Sequence, residues 1–244
     1  MKIHSLFCSV VFGLSITVTA LADPTGDLVT AIVSSKPAAA EAALAAGADV
    51  NADAGEGRTM LISAVMFSRP QIVKMLVERG ADPNRRAQDS TIGNAVSAAF
   101  VAMNGARLVG MGERDAESYA NSLETLKAVV AAKGADLNVL IRRVTTQMTP
   151  LMIAANAGAA DAVQVLLDAG ADVNAMNGGK YTALDYAVDR APGWSENPAS
   201  TRPVIVRALL AKGARKDRKP ADGVTPLERA RRAGNSEIVA LLSR

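Results

Sequence analysis

The sequence contains a single cysteine and a single histidine, Cys8 and His4, and both fall within its first eight residues. The remainder cannot form a Ser-His-Asp or Cys-His nucleophilic pair, a thiolate or imidazole zinc site, or a histidine-ligated haem. It has no disulfide, so its stability has to come from packing. Aromatic residues make up only 3% of the chain and Trp194 is the sole tryptophan. An all-β sandwich or an α/β barrel would normally use more aromatic and β-branched side chains. Glycine-rich phosphate loops and calcium-loop patterns are also missing. Alanine and leucine are left to fill the core, which suits thin elements packed through small residues.

Residues 1–22 differ in kind from the rest. Lys2 supplies a short positive start, Ser5 to Leu21 carries no charge, and Ala20-Leu21-Ala22 fits a small-residue cleavage site before Asp23. The segment reads as a secretory signal peptide. The alternative is a membrane anchor, for which an apolar stretch of about 17 residues is marginal. Cleavage after Ala22 would remove both Cys8 and His4, and the loss of Lys2 would lower the formal net charge from +3 by one, to +2. The expected location is the periplasm or the exterior, without membrane insertion of the processed chain.

Beyond the leader, Gly-Ala-Asp recurs at Gly47, Gly80, Gly134 and Gly170, with a degenerate copy at Gly213; successive spacings are 33, 54, 36 and 43 residues. Fixed-period self-similarity of this kind indicates stacked supersecondary units, here with a base period of about 33 and two insertions. An apolar helix precedes each glycine, as in Ile72-Val73-Lys74-Met75-Leu76-Val77. The glycine then supplies a left-handed helix end, and the Asp-x-Asn that follows starts a tight turn. Thr59, Thr149, Thr182 and Thr225 stand where each next helix needs an N-cap. Ala64, Ala154, Ala187 and Ala230 lie five residues further on, where two helices have to approach closely.

Thr149-Pro150-Leu151-Met152-Ile153-Ala154-Ala155 and Thr225-Pro226-Leu227 resemble the Thr-Pro-Leu-His signature of ankyrin repeats, and Gly-Ala-Asp-Val-Asn resembles that family's turn. The resemblance covers nearly all of residues 23–244. It implies an all-α solenoid of about six helix-turn-helix repeats with short β-hairpin fingers. The family's histidine is replaced by Ile62, Met152, Asp185 and Glu228, which removes a hydrogen bond between neighbouring repeats. The repeats divide as 23–57, 58–89, 90–147, 148–180, 181–223 and 224–244. Ser90-Thr91-Ile92-Gly93-Asn94-Ala95 serves as a worn signature in the third. Insertions at 104–117 and 191–200 separate paired helices.

The resemblance implies a non-enzymatic module that binds another protein and needs no cofactor. By analogy the fingers align, and they carry Arg85, Arg86, Arg142, Arg143, Lys180, Arg215, Lys216, Arg218 and Lys219 as a basic ridge. An acidic protein surface suits such a ridge, and nucleic acid does not suit so small a net charge. Met66 and Phe67 fall where the family places concave contacts, with Ser97, Asn156, Asp189 and Arg232 in comparable positions. Trp194, in a proline-bounded loop, is either an interface anchor or a ring folded over neighbouring helices. The chain is expected to be a monomer on its own.

Two other readings stay open. Glu113, Asp115 and Glu117 could serve a carboxylate-dependent hydrolase, although a solvated turn with helix-starting acids explains them better, since no substrate cleft or aromatic platform accompanies them. A host-directed effector is the other. Asp49, Asp82, Asp136 and Asp172 suggest a metal ladder, or simply one turn residue per repeat.

Overall fold

The computed structural model describes residues 23–88, 93–97, 99, 116–142, 147–188 and 201–244. The fold is an all-α solenoid of paired helices: α1 (Pro24–Val33) with α2 (Pro37–Ala45), α3 (Met60–Met66) with α4 (Pro70–Glu78), then helical residues 95–97 and 99 followed by α5 (Ala116–Val130). After the strands β1 (Ile141–Arg142) and β2 (Gln147–Met148) come α6 (Pro150–Ala157) with α7 (Ala160–Asp168), α8 (Ala183–Val188) with α9 (Arg202–Ala211), and α10 (Pro226–Arg232) with α11 (Ser236–Ser243). The inner helices stack α1 on α3, α6 on α8 and α8 on α10, while α2, α4, α5, α7, α9 and α11 form the outer layer in that order. The core is one continuous cluster shared between neighbours, as in any solenoid whose units cannot bury an apolar face alone.

The local chemistry repeats with the helices. Thr59, Thr149 and Thr225 accept hydrogen bonds from the backbone N–H three residues on, at 3.1, 3.3 and 3.2 Å. Each outer helix before Gly47, Gly80, Gly170 and Gly213 ends in a left-handed glycine, where two backbone bonds turn the chain back: Ala48 N–H reaches the Ala43 carbonyl at 3.0 Å and Gly47 N–H the Leu44 carbonyl at 3.2 Å. Ala64, Ala154, Ala187 and Ala230 are all 0% exposed, so no larger side chain fits between the inner helices.

The fingers are joined across repeats by their asparagines. Asn51, Asn84 and Asn174 each donate to a glycine carbonyl of the next turn, at Gly80, Gly134 and Gly213. Their Oδ1 atoms accept the N–H groups of Asp82, Asp136 and Arg215, and Asn138 accepts that of Asp172. Thr25 plays this part at the start of the stack, where its hydroxyl accepts from Asp49 N–H. The aspartates of the suggested metal ladder are turn residues, each Oδ1 accepting the N–H of the asparagine two residues on. Antiparallel pairing is confined, among the described residues, to β1 with β2 in the third finger and a single bridge between Asp53 and Thr59.

The third repeat begins later than its worn signature suggested. Asn94 is the N-cap: its Oδ1 accepts the Ser97 N–H at 3.0 Å and the Ser97 hydroxyl at 2.9 Å. Asn94 therefore corresponds to Thr59, and Ala99, 1% exposed, to Ala64. The second finger is simply longer, closed by Ala87 N–H on the Gly93 carbonyl and Ala95 N–H on the Pro83 carbonyl. Residues 104–115 of the first insertion and all of the second, 191–200, lie outside the described residues, whereas 116–117 already belong to α5.

Candidate partner-binding surface

The asparagine ladder sets the fingers in register, so residues two beyond each ladder position form a row: Asp53, Arg86, Leu140, Met176 and Lys219. Arg86 and Lys219 are exposed, as is Lys180 in the following turn. Leu140 and Met176 are 36% and 51% exposed. The row one position earlier is different, because its cations are engaged by the protein itself. The Arg85 guanidinium donates to the Asn51 carbonyl of the preceding finger. Arg218 donates to the Lys180 carbonyl at 3.3 Å and meets Met176 Sδ at 2.6 Å. Arg215 is exposed although its N–H serves the ladder, and Lys216 is half-buried. Arg142 lies in β1 opposite Gln147. Arg143 and Trp194 are outside the described residues. The sequence-predicted ridge is thus an alternation of free cations, engaged cations and apolar side chains.

On the other side, the ends of the inner helices carry Val33, Met66, Asn156 and Arg232 at equivalent positions, each two residues before a left-handed residue (Ser35, Ser68, Gly158, Gly234). Val33 and Phe67 are 54% and 44% exposed, and Met66 is half-buried. Ser97 does not belong to this set. It sits at the family's histidine position, fully buried against Asn94. Asp189 lies outside the described residues.

Between the last two repeats is a buried polar cluster that the sequence did not announce. Asp185 Oδ2 accepts from Thr182 N–H at 2.8 Å and from its hydroxyl at 3.0 Å, and Glu228 Oε2 does the same for Thr225. At the former histidine positions, Glu228 closes a full capping box with Thr225, and Asp185 supplies the carboxylate half of one to Thr182. The signal was present, as Thr182-x-x-Asp185 and Thr225-x-x-Glu228. Asp185 Oδ1 lies 3.9 Å from Arg229 Nε, with side chains only 4% and 10% exposed. Arg229 also pairs with Asp222 and lies 5.2 Å from the Tyr181 ring centre. Burial pushes the Asp185 carboxyl above its usual range, against the pull of the Thr182 bonds and of Arg229 and Arg218. Hydrogen bonds from Thr225 hold Glu228 below its usual range.

Among the described residues no group of three or more His, Cys, Asp or Glu could hold a metal ion, and no helix is long and apolar enough to cross a membrane. Glu113 and Asp115 lie outside the described residues, and Glu117 falls in the first turn of α5.

Profiles of ankyrin repeats match residues 28–77 (many copies) and residues 116–193 (three copies). A putative ankyrin repeat protein of Escherichia coli strain K12, YahD, is 30% identical over 200 residues, 82% of this chain and 85% of that protein. The chain belongs to the ankyrin repeat family. An E3 ubiquitin-protein ligase of Drosophila melanogaster, Ufd4, is 32% identical over 122 residues, but the match spans 4% of its length. Among solved structures, the ankyrin repeat protein EF0377 is 27% identical with a TM-score of 0.69, covering 90% of this chain and 98% of that one. An ankyrin repeat domain of Acinetobacter baumannii AYE is 29% identical with a TM-score of 0.67, covering 88% and 95%. The structure of a Bdellovibrio bacteriovorus predatory endopeptidase in complex with an immunity protein includes a chain that matches at 21% identity and a TM-score of 0.57, covering 89% of this chain and 96% of that one; the likeness is one of fold. Ankyrin repeats are generally protein–protein interaction modules; among the described residues of this one, the exposed large apolar side chains are Leu140 and Met176 on the fingers, Val33 and Phe67 at inner-helix ends, and Val204 on the outer helix α9.

Proposed function

We propose that this ankyrin protein is a non-enzymatic scaffold, exported by residues 1–22, that holds a partner protein through its fingers and the ends of its inner helices. One observation supports the reading above others. Large apolar side chains stay open on these two sides, with Phe67 44% and Met176 51% exposed, while the aspartates repeated along the fingers are consumed by turn geometry. Exposed apolar side chains grouped together and rimmed by polar residues mark interaction sites. No observation favours carboxylate chemistry: of its candidates Glu113, Asp115 and Glu117, the first two lie outside the described residues and Glu117 stands in the first turn of α5.

The test compares the processed chain with a Phe67→Asp, Arg86→Glu variant as immobilised bait for proteins of the exported fraction. A protein held by the first and released by the second bears the proposal out. Identical retention by both, or turnover of a small molecule by the purified chain, overturns it. Export is checked separately: the mature protein is expected in the exported fraction with Asp23 as its first residue, and an intact Met1 start there would contradict cleavage.

A further inference from the structure

The expected ridge is interrupted at its centre, and the interruption is informative. The ladder bonds Asn84–Asp136, Asn138–Asp172 and Asn174–Arg215 place four fingers in register, so Arg86, Leu140, Met176 and Lys219 occupy equivalent places on consecutive fingers. The order is cation, apolar, apolar, cation. Leu140 at 36% and Met176 at 51% exposure are among the few large apolar side chains left open. Burying them would remove apolar area from water, which favours association. Arg218 lies against Met176 Sδ at 2.6 Å and is held there by the Lys180 carbonyl, so positive charge borders the apolar pair at its C-terminal side. On the other side Arg85 is tied to the Asn51 carbonyl, which leaves Arg86 as the free cation of that finger.

We propose that fingers three and four form an apolar step, Leu140 beside Met176, that takes an extended segment of a partner protein whose own apolar side chains are flanked on both sides by carboxylates. This rests on the protein-binding reading and specifies the chemistry of the segment bound. The apolar pair supplies the desolvated centre, and Arg86 and Lys219 select the flanks, because charges at the rim govern encounter and register more than total affinity. A polyanion with uniform charge, such as single-stranded nucleic acid, would set charge against the apolar step.

The experiment uses the full processed chain and four labelled probes followed by fluorescence anisotropy. Three are peptides of about 12 residues: a leucine-rich centre with glutamate flanks, the same centre with lysine flanks, and a serine-rich centre with glutamate flanks. The fourth is a single-stranded DNA. The first peptide is expected to bind about tenfold more tightly than the others. Its advantage over the serine-centred peptide should vanish in a Leu140→Ser, Met176→Ser variant, and its advantage over the lysine-flanked peptide in an Arg86→Glu, Lys219→Glu variant. Circular dichroism of both variants should match the parent; the charge-reversed variant should also melt with the parent, and the serine variant slightly lower, since Leu140 is only 36% exposed and Met176 Sδ meets Arg218. Equal binding of all probes, tighter binding of DNA, or preferences that survive both variants would overturn the proposal. The bait experiment above remains the separate test of protein binding, so a chain that retains its partner there and shows no peptide preference here refutes only the apolar step.

Discussion

Asn84 and Asp136 are 52 residues apart in the chain, yet the Asp136 N–H donates to Asn84 Oδ1 at 2.7 Å. The Asn84 amide also donates to the Gly134 carbonyl at 2.7 Å. A long insertion separates the two residues in sequence without displacing the third finger from the second. Loop closure entropy grows only slowly with length, so the inter-finger bonds hold regardless of what lies between. Asn84→Ala removes both bonds and should lower stability by about 1–2 kcal/mol, measured as a shift in the urea midpoint at unchanged slope. Asn84→Asp keeps the acceptor and loses the donor, so it should fall between the two.

Asp185 and Arg229 join the fifth and sixth repeats in a buried setting. Arg229→Ala should destabilise the protein by about 3 kcal/mol, because it strips the buried Asp185 carboxylate of the stronger of the two cations acting on it. The loss should shrink when Asp185→Asn is present, which a double-mutant cycle measures.

The pH dependence has two opposing parts. Asp185 is raised, so the folded state holds its proton more tightly than the unfolded chain; its favourable contribution is present in acid and is lost as pH rises through the folded pKa. Glu228 and Asp222 are lowered, and theirs is present above the ordinary carboxylate range and lost as pH falls through it. Asp185→Asn removes only the first part. The variant should be at least as stable as the parent near neutrality, with its relative advantage declining on acidification through the raised Asp185 pKa toward 3.8, the ordinary value; urea titrations at several pH values read this out.

Ser35 and Ser68 hold left-handed backbone, at φ of 55° and 52°, where the fourth and sixth repeats use Gly158 and Gly234. Ser35→Gly relieves strain at an exposed site and should stabilise the protein by about 0.5–1 kcal/mol, raising the melting temperature by about 2 °C. Ser68→Gly should gain less, since the Ser68 hydroxyl also meets that of Ser122 at 3.1 Å.

Phe67→Ser should leave stability within about 0.5 kcal/mol, as exposed substitutions generally do, while weakening capture of the partner. A folded variant with undiminished capture would remove the inner-helix ends from the binding surface.

Much of the architecture was legible before any coordinates. Repeat period, helix caps, left-handed glycines and the buried alanines are all functions of residues within one turn of each other. The start of the third repeat is not local in this way: the second finger is two residues longer than the first, so the cap falls at Asn94, fourteen residues beyond Gly80, and the position twelve beyond it is Ile92. Of the candidate surface, Phe67, Arg86 and Lys219 are legible in the sequence from repeat position and charge, whereas Leu140 and Met176 are not, because nothing local distinguishes an exposed apolar finger residue from a buried one.

By itself the sequence determined that thin helical pairs stack, where each begins and ends, and which small residues let them touch, since local backbone sterics and hydrogen bonding suffice for these. Only the tertiary structure decided which charges remain available. Arg85 and Arg218 are bound to carbonyls 34 and 38 residues away, and Asp185 acquires its buried partner from another repeat. Whether a side chain is free or engaged depends on its neighbour in the adjacent repeat, and that neighbour is chosen by packing.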